Sequence, residues 1–110
     1  MEKLVKGDVV VIPFPFSDLS ASKKRPAIVV ANLEGNDHII AQITSIDRND
    51  NYSISLANND FKMGKLPQDS FIRPNKLFTA DKSLISYKAG KVNDKKIKEI
   101  EKALINIFVK

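Results

Sequence analysis

The chain has 110 residues, 43% of them hydrophobic, which allows one small domain with a buried core and leaves no room for two. Its 18 lysines and arginines outnumber its 13 aspartates and glutamates, and the resulting net charge of +5 favours a polyanionic partner. The lack of cysteine excludes disulfides and thiolate metal sites, and the single histidine, His38, excludes zinc motifs built on histidine pairs.

The first half of the chain predicts three strands in succession. Residues 9–12 are a β-branched run, and the two prolines that follow predict that this strand frays there into an edge or a loop, because they cannot lie in a central ladder. Residues 26–31 form the second predicted strand, with Pro26 at its first position. A turn separates it from the third predicted strand, residues 38–46.

The second half predicts shorter strands. Residues 52–56 alternate apolar and polar side chains, which is typical of a strand with one wet face. Residues 70–73 and 77–80 are predicted as two separate strands, divided by Pro74 and Asn75. Five or more short strands with one helix predict a mainly β fold, a small and strongly bent antiparallel barrel.

The end of the chain changes to a helical period over residues 93–108. Asn93 is predicted to cap this helix, with Val92 and Ile97 forming a hydrophobic staple. The lysines along it are interpreted as the solvated face of a helix laid against the sheet. The predicted apolar face consists of Ile97, Ile100, Leu104 and, in the last turn, either Ile107 or Phe108.

The sequence also gives an expectation for cellular location. No apolar run approaches the ~20 residues of a bilayer span, and the first six residues lack the apolar stretch of a signal peptide. We therefore expect one domain over residues 1–110, in the cytoplasm, with no membrane association and no metal or other cofactor.

A polar, basic loop leads into the second predicted strand. Serines and lysines occupy much of residues 17–24, and Arg25 follows at the entrance of the strand. Because the strand anchors Arg25 beside a mobile loop, its rigid guanidinium fork suits phosphate recognition. Composition alone favours the simpler interpretation that Arg25 merely starts the strand.

The third predicted strand puts an amide and a hydroxyl on one face. Alternation groups Gln42 with Thr44 near the end of the strand. The alternative interpretation of Thr44 is a β-favouring residue that hydrogen-bonds its neighbours. His38 lies about 20 Å from Thr44 in an extended strand. It is interpreted as a surface or turn residue rather than a catalytic base.

Four segments together resemble the MazF/PemK toxins of type II toxin–antitoxin systems. They are Gly-Asp-Val-Val-Val-Ile-Pro-Phe at residues 7–14, Lys-Arg-Pro-Ala-Ile-Val-Val at 24–30, Ala-Gln-Ile-Thr-Ser at 41–45 and Thr-Ala-Asp-Lys at 79–82. The resemblance extends over about residues 5–108, in the same order along the chain. It implies an SH3-like bent antiparallel β-barrel of the CcdB/PemK type with a C-terminal helix, working as a homodimer.

The same resemblance implies a function. Such toxins are metal-independent endoribonucleases that cut single-stranded mRNA at short sequences and are silenced by a cognate antitoxin protein. The 2′-hydroxyl of the RNA attacks the adjacent phosphorus and leaves a 2′,3′-cyclic phosphate. Arg25 and Thr44 match the catalytic pair of the family. The implied tasks are stabilisation of the phosphorane by Arg25, with protonation of the leaving oxygen as a second possible task, and orientation of the phosphate by Thr44.

One branch of the family, the Kid/PemK toxins, adds an Arg-x-Asp pair, and this sequence matches it only in part. Arg73 fits the arginine, but Asn75 replaces the carboxylate, and an amide cannot act as a general base. The identity of the base is therefore open. The candidate RNA-binding residues, with Phe16 as a possible stacking platform, are Phe16, Ser17, Ser22, Lys23, Lys24, Gln42, Ser45, Arg73 and Asn75.

Two alternatives use the same architecture without cleavage. CcdB-like toxins bind DNA gyrase and lack the Arg25/Thr44 pair, so those residues argue against them. A non-catalytic SH3-like module that binds nucleic acid or protein is the second alternative, and the amide of Asn75 is compatible with it.

Overall fold

The computed structural model describes residues 3–14 and 23–110. Within these ranges the chain forms a mainly β structure that ends in one α-helix, with two short 3-10 turns at Asn58–Asp60 and Lys82–Leu84. The elements are β1 (Asp8–Phe14), β2 (Lys23–Asn32), β3 (Asp37–Thr44), β4 (Ile54–Leu56), β5 (Phe61–Gly64), β6 (Ser70–Asp81), β7 (Tyr87–Val92) and α1 (Asp94–Phe108).

The seven described strands form one sheet in the order β4-β6-β3-β2-β1-β7-β5, and every ladder in it is antiparallel. The sheet bends into a half-barrel with the helix at the end of the chain. The predicted mainly β fold with a C-terminal helix is therefore confirmed.

Two apolar clusters lie on the two faces of the central strands. These strands are apolar on both faces because their β-branched runs do not alternate with polar residues. The first cluster packs against the helix and includes Val9, Ile28, Ala41, Ile43, Leu66, Ile72, Val92 and Ile100. The second includes Leu4, Val10, Ile12, Ala27, Val29, Ile40, Ala80 and Ile85.

The helix begins as predicted and packs the predicted residues Ile97, Ile100 and Leu104 against the first cluster. The Oδ1 atom of Asn93 accepts a hydrogen bond from the backbone N–H of Lys96 at 2.9 Å, so the predicted cap is confirmed. Val92 and Ile97 both contact the first cluster, as expected of a staple. Of the two residues offered for the last turn, Ile107 is half-buried, whereas Phe108 is 71% exposed.

Lys96 also departs from the predicted solvated face. Its side chain is buried, and its ammonium donates to the carbonyl oxygen of Ser55 and to Glu99 Oε1, each at 2.8 Å. A buried ammonium needs such partners to offset the loss of water. This contact attaches the first turn of the helix to β4.

The two short strands predicted on either side of Pro74 are one strand, β6. The separation was wrong because the ladder with β3 shifts register there instead of ending. Ala41 pairs with Leu77, whereas the next residue, Gln42, pairs with Arg73. The intervening residues bulge out of the ladder, which accommodates a proline that has no N–H to donate.

Pro13 lies in an edge segment, as predicted, whereas the prediction that Pro26 begins its strand is wrong. β1 continues through Pro13 to Phe14, and β2 begins at Lys23, so Pro26 is an interior residue of its strand. Beyond Val11, β1 has a ladder only with β2, and before Ala27, β2 has a ladder only with β1. Each proline therefore lies where one side of its strand is unpaired, which is the position proline tolerates.

Strands β5 and β7 were not predicted. They pair with each other at the edge of the sheet, where Gly64 lies opposite Gly90. Gly64 has a φ of +72°, and a Cβ there would lie 2.7 Å from the Cα of Gly90. The pairing of β5 with β7 therefore depends on two glycines. In the sequence alone, a glycine indicates a turn or the end of a strand. In the part of the chain that the structure describes, no helix is long and apolar enough to cross a membrane.

Candidate functional site

A cleft opens at the end of the sheet where β2 and β3 separate. Their ladder ends at the pair Ala27–Gln42, although β2 extends back to Lys23 and β3 continues to Thr44. Beyond that pair, β2 stays paired with β1, and β3 stays paired with β6. The two ribbons part, and the space at this end is a cleft of about 500 Å³.

Arg25 and Thr44 lie on opposite sides of this opening, and both line the cleft. Continuing the β2–β3 register by two residues would place them directly opposite each other. Arg25 is half-buried, with Ile12 as its partner on β1. The sequence analysis predicted that these two side chains reach one site, and the structure brings them together there.

The hydroxyl of Thr44 is held by a local hydrogen bond. Thr44 is buried, and its Oγ1 accepts a hydrogen bond from the backbone N–H of Ile46 at 3.1 Å. A hydroxyl that accepts one hydrogen bond can still donate its own proton. Thr44 therefore does hydrogen-bond a neighbour, as its simpler interpretation expects. The same bond holds the hydroxyl, a hydrogen-bond donor, at the wall of the cleft.

The cleft is cationic. Four of its lining residues carry positive charge, namely Lys24, Arg25, Lys65 and Lys88, and none of its described lining residues is an aspartate or glutamate. Lys88 has a partner, because its ammonium lies 3.2 Å from Oδ1 of the fully buried Asp8. Such a lining attracts an anionic ligand.

The rest of the lining combines apolar and uncharged polar groups. The apolar residues are Val11, Pro26, Ile43, Leu66, Pro67 and Ala89, and the polar ones besides Thr44 are Ser45, Gln68, Ser70 and Tyr87. Lys24 and Ser45 were predicted to bind RNA, and both are exposed at the cleft. Lys65, Gln68 and Tyr87 were not predicted, because their segments are joined to the cleft only by the tertiary fold.

A second polar cluster consists of Gln42, Arg73 and Asp50. Arg73 Nη1 donates to Gln42 Oε1 at 3.4 Å, and Arg73 Nη2 lies 3.9 Å from Asp50 Oδ2. Gln42 is two residues from Thr44 on β3, but neither Gln42 nor Arg73 lines the cleft. The predicted RNA-binding residues Gln42 and Arg73 therefore bind each other beside the cleft.

Asp50 is a carboxylate that the sequence analysis did not find. Hydrogen bonds from the backbone N–H groups of Tyr52 and Ser53, and then the nearby charge of Arg73, lower the pKa of the Asp50 carboxyl. The carboxylate near Arg73 thus comes from the loop between β3 and β4. Asn75 is exposed on the bulge of β6.

His38 lies at the far end of β3 from Thr44, opposite Ala80 of β6. It is not a surface residue, because its side chain is buried and its Nδ1 lies 3.1 Å from Asn32 Oδ1. The prediction of a surface or turn position is wrong, because His38 lies inside the sheet, paired with Asn32 of β2 on one side and Ala80 of β6 on the other. His38 does not line the cleft.

Several predicted RNA-binding residues cannot be assigned to the cleft. Phe16, Ser17 and Ser22 lie outside the described residues. Lys23 is the first residue of β2, where its backbone pairs with Phe14, and it is not among the described residues that line the cleft. Within residues 3–14 and 23–110, no group of three or more histidine, aspartate or glutamate side chains is arranged to hold a metal ion.

The whole sequence matches a known family. The sequence profile described as "PemK-like, MazF-like toxin of type II toxin-antitoxin system" matches residues 5–108. The chain belongs to this family. No curated protein sequence gives a significant match.

Three solved structures share the fold. An endoribonuclease from a mycobacterial species, in complex with its cognate antitoxin, superposes with a TM-score of 0.78 at 15% identity, covering 97% of this chain and 96% of that one. A mycobacterial endoribonuclease gives 0.74 at 16% identity over 99% and 94%. The Mycobacterium tuberculosis toxin MazF-mt6 gives 0.73 at 14% identity over 93% and 96%. At these identities the similarity establishes the fold alone.

Proposed function

We propose that the protein is the toxin of a type II toxin–antitoxin system and acts in the cytoplasm as a metal-independent, sequence-specific endoribonuclease on single-stranded mRNA. The observation that carries this proposal is the cleft that Arg25 and Thr44 share, whose described lining is cationic and without carboxylates. Membership of the PemK/MazF family supports the same activity.

The reaction needs no cofactor, because RNA supplies its own nucleophile. The 2′-oxygen bonds to the adjacent phosphorus while the bond from phosphorus to the 5′-oxygen breaks. The products are a 2′,3′-cyclic phosphate and a 5′-hydroxyl. One proton leaves the 2′-hydroxyl, and one joins the departing 5′-oxygen. The protein must align these atoms and stabilise the negative charge that builds on the phosphoryl oxygens.

Arg25 and Thr44 divide this task according to their chemistry. The Arg25 guanidinium offers a planar fork of donors that matches two oxygens of the phosphorane. The Thr44 hydroxyl, fixed by its bond from Ile46, donates to a non-bridging oxygen and orients the phosphate. Lys24 and Lys65 at the same cleft attract the polyanion and hold neighbouring phosphates.

Cleavage in the presence of EDTA tests the proposal. The purified protein is incubated with a long single-stranded RNA, and the new ends are mapped and analysed for cyclic phosphate. Discrete cuts with cyclic-phosphate ends are expected, and they should disappear in Arg25→Ala and fall strongly in Thr44→Val. Matched controls are Arg48→Ala and Thr79→Val, because both residues are exposed and neither lines the cleft.

The outcome also separates the two alternatives. Binding of RNA without cuts would overturn the nuclease and leave a nucleic-acid-binding module. Inhibition of DNA gyrase by a protein that leaves RNA intact would identify a CcdB-like poison instead. Cuts that persist in Arg25→Ala would indicate a contaminating nuclease and remove the basis of the proposal.

We further propose two protein partners. A cognate antitoxin is supported by family membership, and its segment for this site would be acidic because the cleft lining is cationic. Co-expression with the adjacent open reading frame should yield a complex in which RNA cleavage is lost.

A homodimer should show a mass near twice 12.3 kDa in sedimentation equilibrium. A strict monomer at high concentration would contradict it.

A further inference from the structure

Tyr87 is an exposed aromatic residue at the wall of the proposed RNA-binding cleft. Its side chain is 54% exposed, although a tyrosine on a strand usually packs its ring against neighbours. It was not among the RNA-binding residues that the sequence suggested. The other described tyrosine, Tyr52, is 39% exposed and lies away from this cleft, at a second cavity beside the end of the helix.

The sheet register gives the backbone spacing between Tyr87 and Pro26, the residue next to Arg25. Tyr87 pairs with Val11 of β1, and Val11 pairs with Pro26 of β2. All three residues line the cleft. Because neighbouring strands lie about 4.8 Å apart, the Tyr87 and Pro26 backbones are about 10 Å apart across two strand spacings. Arg25 is the residue next to Pro26 and lines the same cleft as Tyr87, so an RNA segment with its phosphate at Arg25 has a base within reach of the Tyr87 ring.

The surroundings of Tyr87 suit a nucleobase. Val11 and Ala89 provide an apolar floor beside the ring, and the segment before β6 forms another wall of the cleft. Leu66 is buried and attaches that segment to the core. Gln68, two residues later in the same segment, is exposed and places its side-chain amide at the cleft. An amide donates and accepts hydrogen bonds, as do the edges of unpaired bases.

We propose that Tyr87 is the stacking platform for the nucleobase next to the scissile phosphate, and that Gln68 reads the edge of that base. This inference rests on the proposed function and adds a specificity determinant to it. Stacking on an aromatic ring favours any base, because every base has a π-face. Selection among bases then falls to the hydrogen bonds of Gln68. The ligand is thus a single-stranded ribonucleotide segment with its phosphate at Arg25 and its base at Tyr87.

The composition of the chain allows the intrinsic fluorescence of Tyr87 to report RNA binding. The sequence has two tyrosines and no tryptophan, so the variant Tyr52→Phe leaves Tyr87 as the only fluorescent residue of this kind. We would titrate Tyr52→Phe with fully 2′-O-methylated RNA decamers of mixed sequence, which cannot be cleaved through a 2′-hydroxyl. Tyrosine emission should be quenched on binding, with the same Kd that anisotropy of a labelled decamer gives.

Substitution at Tyr87 tests the platform separately from the fluorescence. Tyr87→Ala should weaken decamer binding about 5- to 150-fold, which is the range found when stacking aromatics are replaced by alanine. Tyr87→Phe should bind within about threefold of the parent, because the ring is kept. The matched control Tyr52→Ala should bind like the parent. If Tyr87→Ala fails to fold, Tyr87→Leu takes its place, since it keeps apolar packing and removes the flat ring.

The readouts distinguish this inference from the nuclease assignment. Quenching of Tyr87 and weak binding by Tyr87→Ala, with no RNA cleavage by the parent, would support the platform while overturning the nuclease. Cleavage and decamer binding that are unchanged in Tyr87→Ala would overturn the platform and leave the nuclease. Decamer binding without quenching, or no decamer binding at all, would also overturn it. For Gln68→Ala, a changed sequence preference in mapped cuts is expected, and an unchanged preference would overturn its reading role.

Discussion

Arg73 and Gln42 face each other across the β3–β6 ladder, and a hydrogen bond of 3.4 Å joins Arg73 Nη1 to Gln42 Oε1. On its other side the guanidinium lies 3.9 Å from Asp50 Oδ2. The Arg73 side chain is only 13% exposed, so both interactions form largely out of water. Two residues that the sequence suggested as RNA contacts therefore stabilise the sheet beside the cleft.

Arg73→Met should destabilise the fold by about 1–3 kcal/mol, because the buried Gln42 amide would lose its partner. Methionine keeps most of the packing volume of the arginine stem. Urea unfolding followed by circular dichroism measures the change. Arg48→Met, an exposed arginine in the loop after β3, should stay within about 0.5 kcal/mol of the parent. Equal stabilities of the two variants would show that the cluster does not stabilise the sheet.

Arg25→Lys should lose RNA cleavage by about 100-fold or more while keeping the fold. Lysine preserves the charge at the cleft but offers a point charge in place of a two-pronged donor. Loss of one donor to a developing oxyanion commonly has this effect. Single-turnover cleavage rates measure it, and Lys24→Arg in the same cleft should cleave at nearly the parental rate. Full activity of Arg25→Lys would refute the phosphorane-stabilising role.

The central strands and the helix could be predicted because their signals are local. The β-branched runs of β1 to β3 indicate strands without reference to the strands that they pair with. The Asn93 cap likewise indicates the start of a helix without reference to the residues that pack against it. By contrast, β5 and β7 contain glycines and lysines, and they exist as strands because Gly64 and Gly90 approach each other closely. Nothing in either segment alone indicates its partner.

The same distinction applies to the candidate site. Arg25 and Thr44 could be proposed from the sequence because the segments that contain them, residues 24–30 and 41–45, resemble those of the MazF/PemK toxins. Asp50 could not, since its proximity to Arg73 depends on the loop between β3 and β4 turning back toward β6. Tyr87 reaches the cleft only because β7 pairs with β1 across a register shift. Such neighbours are set by the order of strands in the sheet, which local patterns do not encode.

The carboxyl of Asp50 should make stability depend on pH on the acid side. Hydrogen bonds from Tyr52 and Ser53, with the charge of Arg73 nearby, lower its pKa in the folded protein. A lowered folded pKa gives a contribution that is present above the unfolded pKa, about 3.9, and is lost as pH falls through the folded value. The stability difference between the parent and Asp50→Asn should therefore be largest near neutral pH and shrink below about pH 4.

Urea unfolding at several pH values between neutral and strongly acidic measures this difference. Asp69→Asn, an exposed aspartate in the segment before β6, is the control, and its curve should run parallel to the parent. A difference between the parent and Asp50→Asn that stays constant on acidification would contradict the linkage, because it would not come from the ionised carboxyl.

Asp8→Asn should be the most destabilising of these substitutions. Asp8 is fully buried, its Oδ2 accepts from the Val5 N–H at 2.8 Å, and its Oδ1 lies 3.2 Å from the Lys88 ammonium and 3.8 Å from that of Lys91. Asparagine keeps the shape and can keep the bond to Val5, but it leaves two partly desolvated ammonium groups without a counter-charge.

The expected loss is about 2–3 kcal/mol, below the value for a fully buried pair because the lysine side chains stay 25% and 22% exposed. Denaturant unfolding measures it, and Asp8→Asn with Lys88→Met should recover part of the loss, since the second change removes the stranded charge. Glu101→Gln, which breaks the exposed pair between Lys6 and Glu101, should change stability by less than about 1 kcal/mol. If Asp8→Asn costs no more than this control, the buried carboxylate does not hold β7 against β1 through its charge.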